Sequence, residues 1–121
     1  MVSVGTKLFV SDNSGALVVK CIKILGSTKK IAKIGDILVF AVKKARAYRK
    51  IKKHDVRKGY LIRHRQRIVR KTGVIIYFFI NAVIIMDMRG GPQASRIFGV
   101  APQEFRGKRF LKLITLAHSV I

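Results

Sequence analysis

The run Arg63-His64-Arg65-Gln66-Arg67, followed by Arg70-Lys71, is the stretch of this chain best equipped to do chemistry on an anion. If it is a strand, Arg63, Arg65 and Arg67 share one face at period two, about 6.6 Å apart. Guanidinium forks grip phosphate through two parallel hydrogen bonds, and Arg also stacks on exposed bases. The run belongs to a larger concentration of charge. Residues 43–71 hold 14 of the 26 Lys and Arg against one acid, Asp55, whereas 1–42 and 72–121 hold six each. The candidate polyanion contacts are Lys43, Lys44, Arg46, Arg49, Lys50, Lys52, Lys53, Arg57, Arg63, Arg65, Arg67, Arg70 and Lys71. A solvated face accounts for one or two such residues but not for this density.

Other side chains offer less. General acid–base cleavage of RNA needs a carboxylate beside histidine. The candidates are His54-Asp55, His64 and Glu104, but His54 and Asp55 are neighbours and would point to opposite faces of a strand; His118 reads as a helix-end or surface residue. Asp12 and Asp36 sit in turns, where a carboxylate ordinarily accepts a backbone hydrogen bond, and Asp87 has no obvious partner. No catalysis is expected. Cys21, His54, His64 and His118 show no zinc-ligand spacing, so no metal and no cofactor is expected either. The lone Cys21 reads as a buried, inert thiol.

The composition narrows the partner. The chain has 121 residues, 50% hydrophobic, with a formal net charge of +21 and a pI near 11.3. Such self-repulsion calls for a polyanion. A membrane-surface binder would need a basic amphipathic helix, and a sequence-specific DNA module a recognition helix or zinc fingers. Neither is visible. RNA bound through shape and backbone is the remaining partner. The longest apolar stretch, 74–86, is interrupted by Asn81 and falls short of a membrane helix.

Short apolar segments broken by Gly, Asn, Asp and Ser predict strands at 7–10, 17–25, 37–45, 56–65, 74–79 and 82–86. Asp12-Asn13-Ser14-Gly15 supplies turn chemistry between the first two. The basic segment 28–34, flanked by Gly26 and Gly35, reads as a projecting hairpin. Six short strands at this spacing predict a small closed barrel, which leaves no free edge. After Gly90-Gly91-Pro92 the strand pattern fades. Two short helices are expected, over 103–110 and 111–117, with Gly107 as the joint. The chain thus reads as a single domain, 1–121, with a barrel over 1–88 and a C-terminal loop and helices over 89–121.

These residues carry a resemblance along essentially the whole chain. The segments are Val10-Ser-Asp-Asn-Ser-Gly15-Ala, Cys21-Ile-Lys-Ile-Leu-Gly26, Gly35-Asp36-Ile-Leu, Lys52-Lys53-His-Asp55-Val56, Phe78 before Asn81-Ala82, Arg96-Ile-Phe-Gly99, and Glu104-Phe-Arg106 leading to Lys112-Leu-Ile-Thr-Leu-Ala117. Each is weak alone; their order and spacing resemble the universal large-subunit ribosomal protein family number fourteen. The resemblance implies a mainly β fold: a five-stranded β-barrel with a projecting β-ribbon and two short C-terminal helices. It implies a structural protein that binds large-subunit rRNA, faces small-subunit rRNA in intersubunit bridges and packs against neighbouring large-subunit proteins. In bacteria and organelles such proteins also dock a ribosome-silencing factor, on a face that by position includes Ser95, Arg96 and Lys112. Arg106 and Arg109 join that subunit-interface set. A free RNA chaperone is the alternative reading.

The chain departs from the family pattern in places. Arg46-Ala-Tyr48-Arg49-Lys50 stands where a Pro-Gly turn is usual, and His54 where glycine is usual. Tyr77, Phe79 and Ile80 replace polar or charged positions. With Phe78 expected inside the barrel, those three would face outward as an apolar patch for a neighbouring protein, favoured over a stacked base because the adjacent sequence carries no Arg or Lys. Sixteen Ile and 15 Lys against one Glu, and no recognisable targeting peptide, fit synthesis inside an organelle. A mitochondrial ribosome is expected; bacterial cytoplasm or a plastid is the alternative.

Overall fold

The computed structural model describes residues 2–26, 30–105 and 111–121. Short, mainly apolar segments whose burial alternates along the chain build β1 (Lys7–Val10), β2 (Ala16–Ile24) and β3 (Ile37–Ala45), and β4 (Val56–Arg63) and β7 (Ala82–Ile85) complete a closed barrel in the order β1-β2-β3-β4-β7. All neighbours are antiparallel except β1 and β7, which close the barrel in parallel through Phe9↔Ala82 and Val10↔Val83. Closure leaves none of the five with an unpaired edge. Inside, Leu8, Val19, Cys21, Leu38, Phe40, Val42, Leu61, Val83 and Ile85 form one packed cluster. Cys21 is a free, buried thiol.

The β7 strand is buried at every position. Its other face, Ala82 and Ile84, packs with Tyr60, Ile62, Ile97, Ala101 and Leu113 in a second cluster outside the barrel. That covering layer explains why 82–86 reads as a continuous apolar run: a strand buried on both faces loses its alternation. No helix among the described residues is long and apolar enough to cross a membrane. Gly59 allows β4 to approach its neighbours. A Cβ there would overlap the Ile84 carbonyl oxygen and come within 2.8 Å of the Phe40 ring.

The second layer was only partly foreseen. It comprises β8 (Ile97–Ala101), a 3₁₀ turn at Gln103–Phe105, α1 (Leu111–Leu116) and β9 (Ala117–Val120), with β8 and β9 paired in parallel. The helix expected at 111–117 is present. Of the one expected at 103–110, a 3₁₀ turn is seen, and 106–110 lie outside the described residues. The tail is bound to the barrel by an Asp12↔Ile97 bridge and by the Phe98 N–H donating to the Ser11 carbonyl (2.7 Å).

Two further expectations need correction. The segment 28–34 does not stand out as a hairpin over its described part: Ala32 is buried and its N–H donates to the Val2 carbonyl (2.8 Å). The projecting ribbon is instead β5 (Ile68–Val69) with β6 (Ile75–Ile76), registered Ile68↔Ile76 and Val69↔Ile75. The strand expected over 74–79 shortens to β6. Phe78 is half-buried on the ribbon's inner side and is not part of the barrel core. Its N–H donates to the His64 carbonyl (3.3 Å).

Candidate nucleic-acid interface

The loop between β3 and β4 is shaped so that its cations face out. Ile51 is fully buried and anchors it. The Arg46 N–H donates to the Gly15 carbonyl (2.7 Å). The Asp55 carboxylate caps the following turn by accepting from the Lys52 N–H (3.0 Å). Two residues in this loop, Tyr48 (φ 61°) and His54 (φ 75°), adopt the left-handed conformation. By the family resemblance, His54 stands where glycine is usual, and Tyr48 lies within the segment 46–50 that stands where a Pro-Gly turn is usual. With the chain turned in this way, Lys43, Lys44, Arg46, Arg49, Lys50, Lys52 and Lys53 are all exposed. Beside Arg49 and Lys50 lies a cleft of about 360 Å³, shared with Asn13, Ser14 and Ser95.

The ladder of Arg63, Arg65 and Arg67 is not formed. The β4 strand ends at Arg63 and the chain bends at Arg65-Gln66. The Arg63 guanidinium turns under β8, where it donates to the Ser11 hydroxyl and to the Val100 carbonyl (3.4 Å). Burial pushes its pKa down, although a guanidinium keeps its proton at any physiological pH. Arg65 and Arg67 are exposed. Arg70 is engaged elsewhere: it pairs with Glu104 (3.1 and 3.3 Å) and donates to the Ile121 carbonyl (2.8 Å). Arg57 lies 3.8 Å from Asp55, and Lys71 is exposed.

The five acids do little to cancel this charge. The buried Asp12 carboxylate accepts from the Ile85 N–H (2.9 Å) and the Ser14 N–H (3.0 Å). Asp36 accepts from the Lys33 N–H (2.8 Å), and Asp87 from the Arg89 and Gly91 N–H groups (both 2.9 Å). These carboxylates act on the backbone, and the exposed cations keep their field. His64 and Glu104, considered above for acid–base work, line one pocket of about 310 Å³ with Lys33 and Arg67. The Glu104 carboxylate there is held by Arg70.

Ser95 and Arg96 are exposed and are fixed by Asn13, which donates to the Ser95 hydroxyl (3.1 Å) and accepts from the Arg96 N–H (3.2 Å). The Arg96 guanidinium lies 5.4 Å from the centre of the Phe98 ring. Lys112 is exposed on α1; Arg106 and Arg109 lie outside the described residues. Along the ribbon, residues 75, 77 and 79 point away from the body and 76 and 78 toward it. Tyr77 is 56% and Phe79 85% exposed, with rings edge to face at 6.2 Å. Ile80, Val69, Val74 and Ile75 are exposed as well.

A family model for ribosomal protein L14p/L23e matches residues 1–121. The chain belongs to that family. It is therefore a structural protein of the large ribosomal subunit, acting in translation. The L14p/L23e match decides between a ribosomal protein and a free RNA chaperone, which composition alone left open. The sequence reading passed over two cations, Lys7 and Lys20. They line a groove of about 500 Å³ with Lys43 and Lys44 on the outer face of the barrel. Their register across the hairpin closed by residues 11–15 was the signal that would have joined them.

Proposed function

We propose that this L14p/L23e protein binds large-subunit rRNA through the surface built by residues 43–71. The observation that carries this reading is the density of exposed Lys and Arg there, with four of the five acids held by backbone N–H groups. Lys43, Lys44, Arg46, Arg49, Lys50, Lys52, Lys53, Arg65, Arg67 and Lys71 contact phosphates. Arg57 contributes at the margin, and Arg63 and Arg70 support the scaffold. Ser95, Arg96 and Lys112, with Arg106 and Arg109, face small-subunit rRNA, and Ser95, Arg96 and Lys112 also form the docking face for a silencing factor. The ribbon patch of Tyr77, Phe79 and Ile80 packs on a neighbouring large-subunit protein. The ribosome is mitochondrial, the Ile- and Lys-rich, acid-poor composition being its support.

The test is salt. With ~6–10 phosphate contacts, affinity for large-subunit rRNA falls about 10³- to 10⁵-fold between about 50 and 200 mM salt. Binding that is flat over that range would overturn the assignment of the 43–71 surface.

A further inference from the structure

The outer face of β1, β2 and β3 presents two cross-strand rows. One is Phe9↔Val18↔Lys44, the other Lys7↔Lys20↔Ala41. Lys7 and Lys20 are directly opposed partners, both exposed. Like charges so placed repel. None of the five acids lies on these three strands or lines the groove between them. Lys43 lines the same groove of about 500 Å³. In its floor Phe9 is 52% exposed, a large apolar ring kept at the surface among ammonium groups. An anion between Lys7 and Lys20 would relieve that repulsion, and a flat apolar partner would cover the ring. The rows are about 7 Å apart along the strands, the order of the separation of successive phosphates in an extended nucleic-acid strand.

We infer that this groove is a binding site for an unpaired RNA segment, its phosphates on Lys7, Lys20, Lys43 and Lys44 and one base stacked on Phe9. A duplex would meet the lysines but keep its bases away from the ring. A stacked base on an aromatic, beside a cationic track, is how strands without base pairing are held. The inference rests on the rRNA-binding reading and extends it to a face the 43–71 surface only borders.

The probe is a single-stranded oligouridylate of about ten nucleotides, within the ~4–16 that one small barrel covers, with an RNA duplex of equal length as the comparison. Binding to the full chain is followed by fluorescence anisotropy across a salt series. Changing Lys7 and Lys20 together to Gln should lower the salt slope for the single strand by about 1.4, at ~0.7 per phosphate. Phe9→Leu should leave the slope alone and weaken the single strand by about 5- to 100-fold, as loss of one stacked base does, with little effect on the duplex. A 4-thiouridine oligonucleotide should crosslink to the Phe9 peptide. The Lys pair variant should melt no lower than the parent, since it removes a repulsion, so lost binding is not lost folding. If both variants bind as the parent does while Arg65→Gln with Arg67→Gln weakens binding, the groove assignment fails and the rRNA reading stands. If no variant and no salt change matters, both fail. If oligoglutamate displaces the RNA and Phe9→Leu has no effect, the groove is an acidic-peptide site and the inference is overturned.

Discussion

Arg63 at the end of β4 donates to the hydroxyl of Ser11, 52 positions earlier, at the end of β1. The bond ties two barrel strands and, through the Val100 carbonyl, the overlying β8 strand. A residue that reads in the sequence as the first rung of a phosphate ladder is thus an internal brace.

Replacing it should separate fold from binding. Arg63→Gln is expected to destabilise the chain by about 1–3 kcal/mol, the range for a buried donor lost from its acceptors. The salt slope of rRNA binding should hold. Arg65→Gln with Arg67→Gln should do the reverse, flattening the slope with stability within ~0.5 kcal/mol. Denaturant unfolding and salt titration of both variants check this.

Left-handed backbone at two side-chain-bearing residues makes a second prediction. An L-residue in this region costs ~1–2 kcal/mol, which glycine avoids. Glycine also gives entropy to the unfolded chain, offsetting ~0.5–1 kcal/mol. His54→Gly should therefore raise stability by up to ~1 kcal/mol, and Tyr48→Gly likewise. His54→Ala should give no gain. Urea midpoints at constant slope decide.

Asp12 carries a pH dependence. Burial raises its pKa, against hydrogen bonds from Ser14 and Ile85 that lower it. Its folded value therefore lies above the unfolded one. In the window between them the native state holds the extra proton, so this residue's contribution to stability grows as pH falls through its folded pKa and is lost as pH rises through it. Asp12→Asn should abolish that part of the pH profile. It should also lower stability at neutral pH by about 1–3 kcal/mol, because an amide cannot accept on both sides from Ser14 and Ile85. Unfolding of both proteins across mildly acidic pH measures the difference.

The ribbon patch makes the last prediction. Phe79→Asp with Tyr77→Arg should leave the melting temperature of the isolated chain nearly unchanged, since both rings are exposed. Incorporation into large subunits should fall in competition with the parent chain. Equal incorporation of the variant would remove the protein-contact role.

The barrel was legible because its signal is local. Short apolar segments bounded by turn residues placed β1 and β3 at their observed ends and the others within a few positions. The partnership of β8 and β9 was not legible. It is a parallel pairing across a helix, and its Ala-His-Ser-Val strand carries no alternating apolar pattern. The charge density of 43–71 was visible in the counts, but which cations are exposed was not. Arg63 and Arg70 differ from Arg65 and Arg67 only in what folds over them. The apolar outer face of the ribbon followed from period two once Ile76 and Phe78 were set inward. The groove at Lys7 and Lys20 needed strand register.

The parallel seam between β1 and β7 also governs how the chain folds. The hairpins β1-β2 and β3-β4 are near neighbours in sequence and can form early, whereas the seam joins the first barrel strand to the last. Asp12 and Ile85, which meet beside it, are 73 positions apart. Contacts of such separation must overcome a loop-closure entropy before they form. Until they do, a nascent chain exposes two open sheet edges able to pair with another copy. The charge of +21 works against that encounter. The composition that suits a polyanion partner thus also disfavours pairing between copies whose barrels are not yet closed.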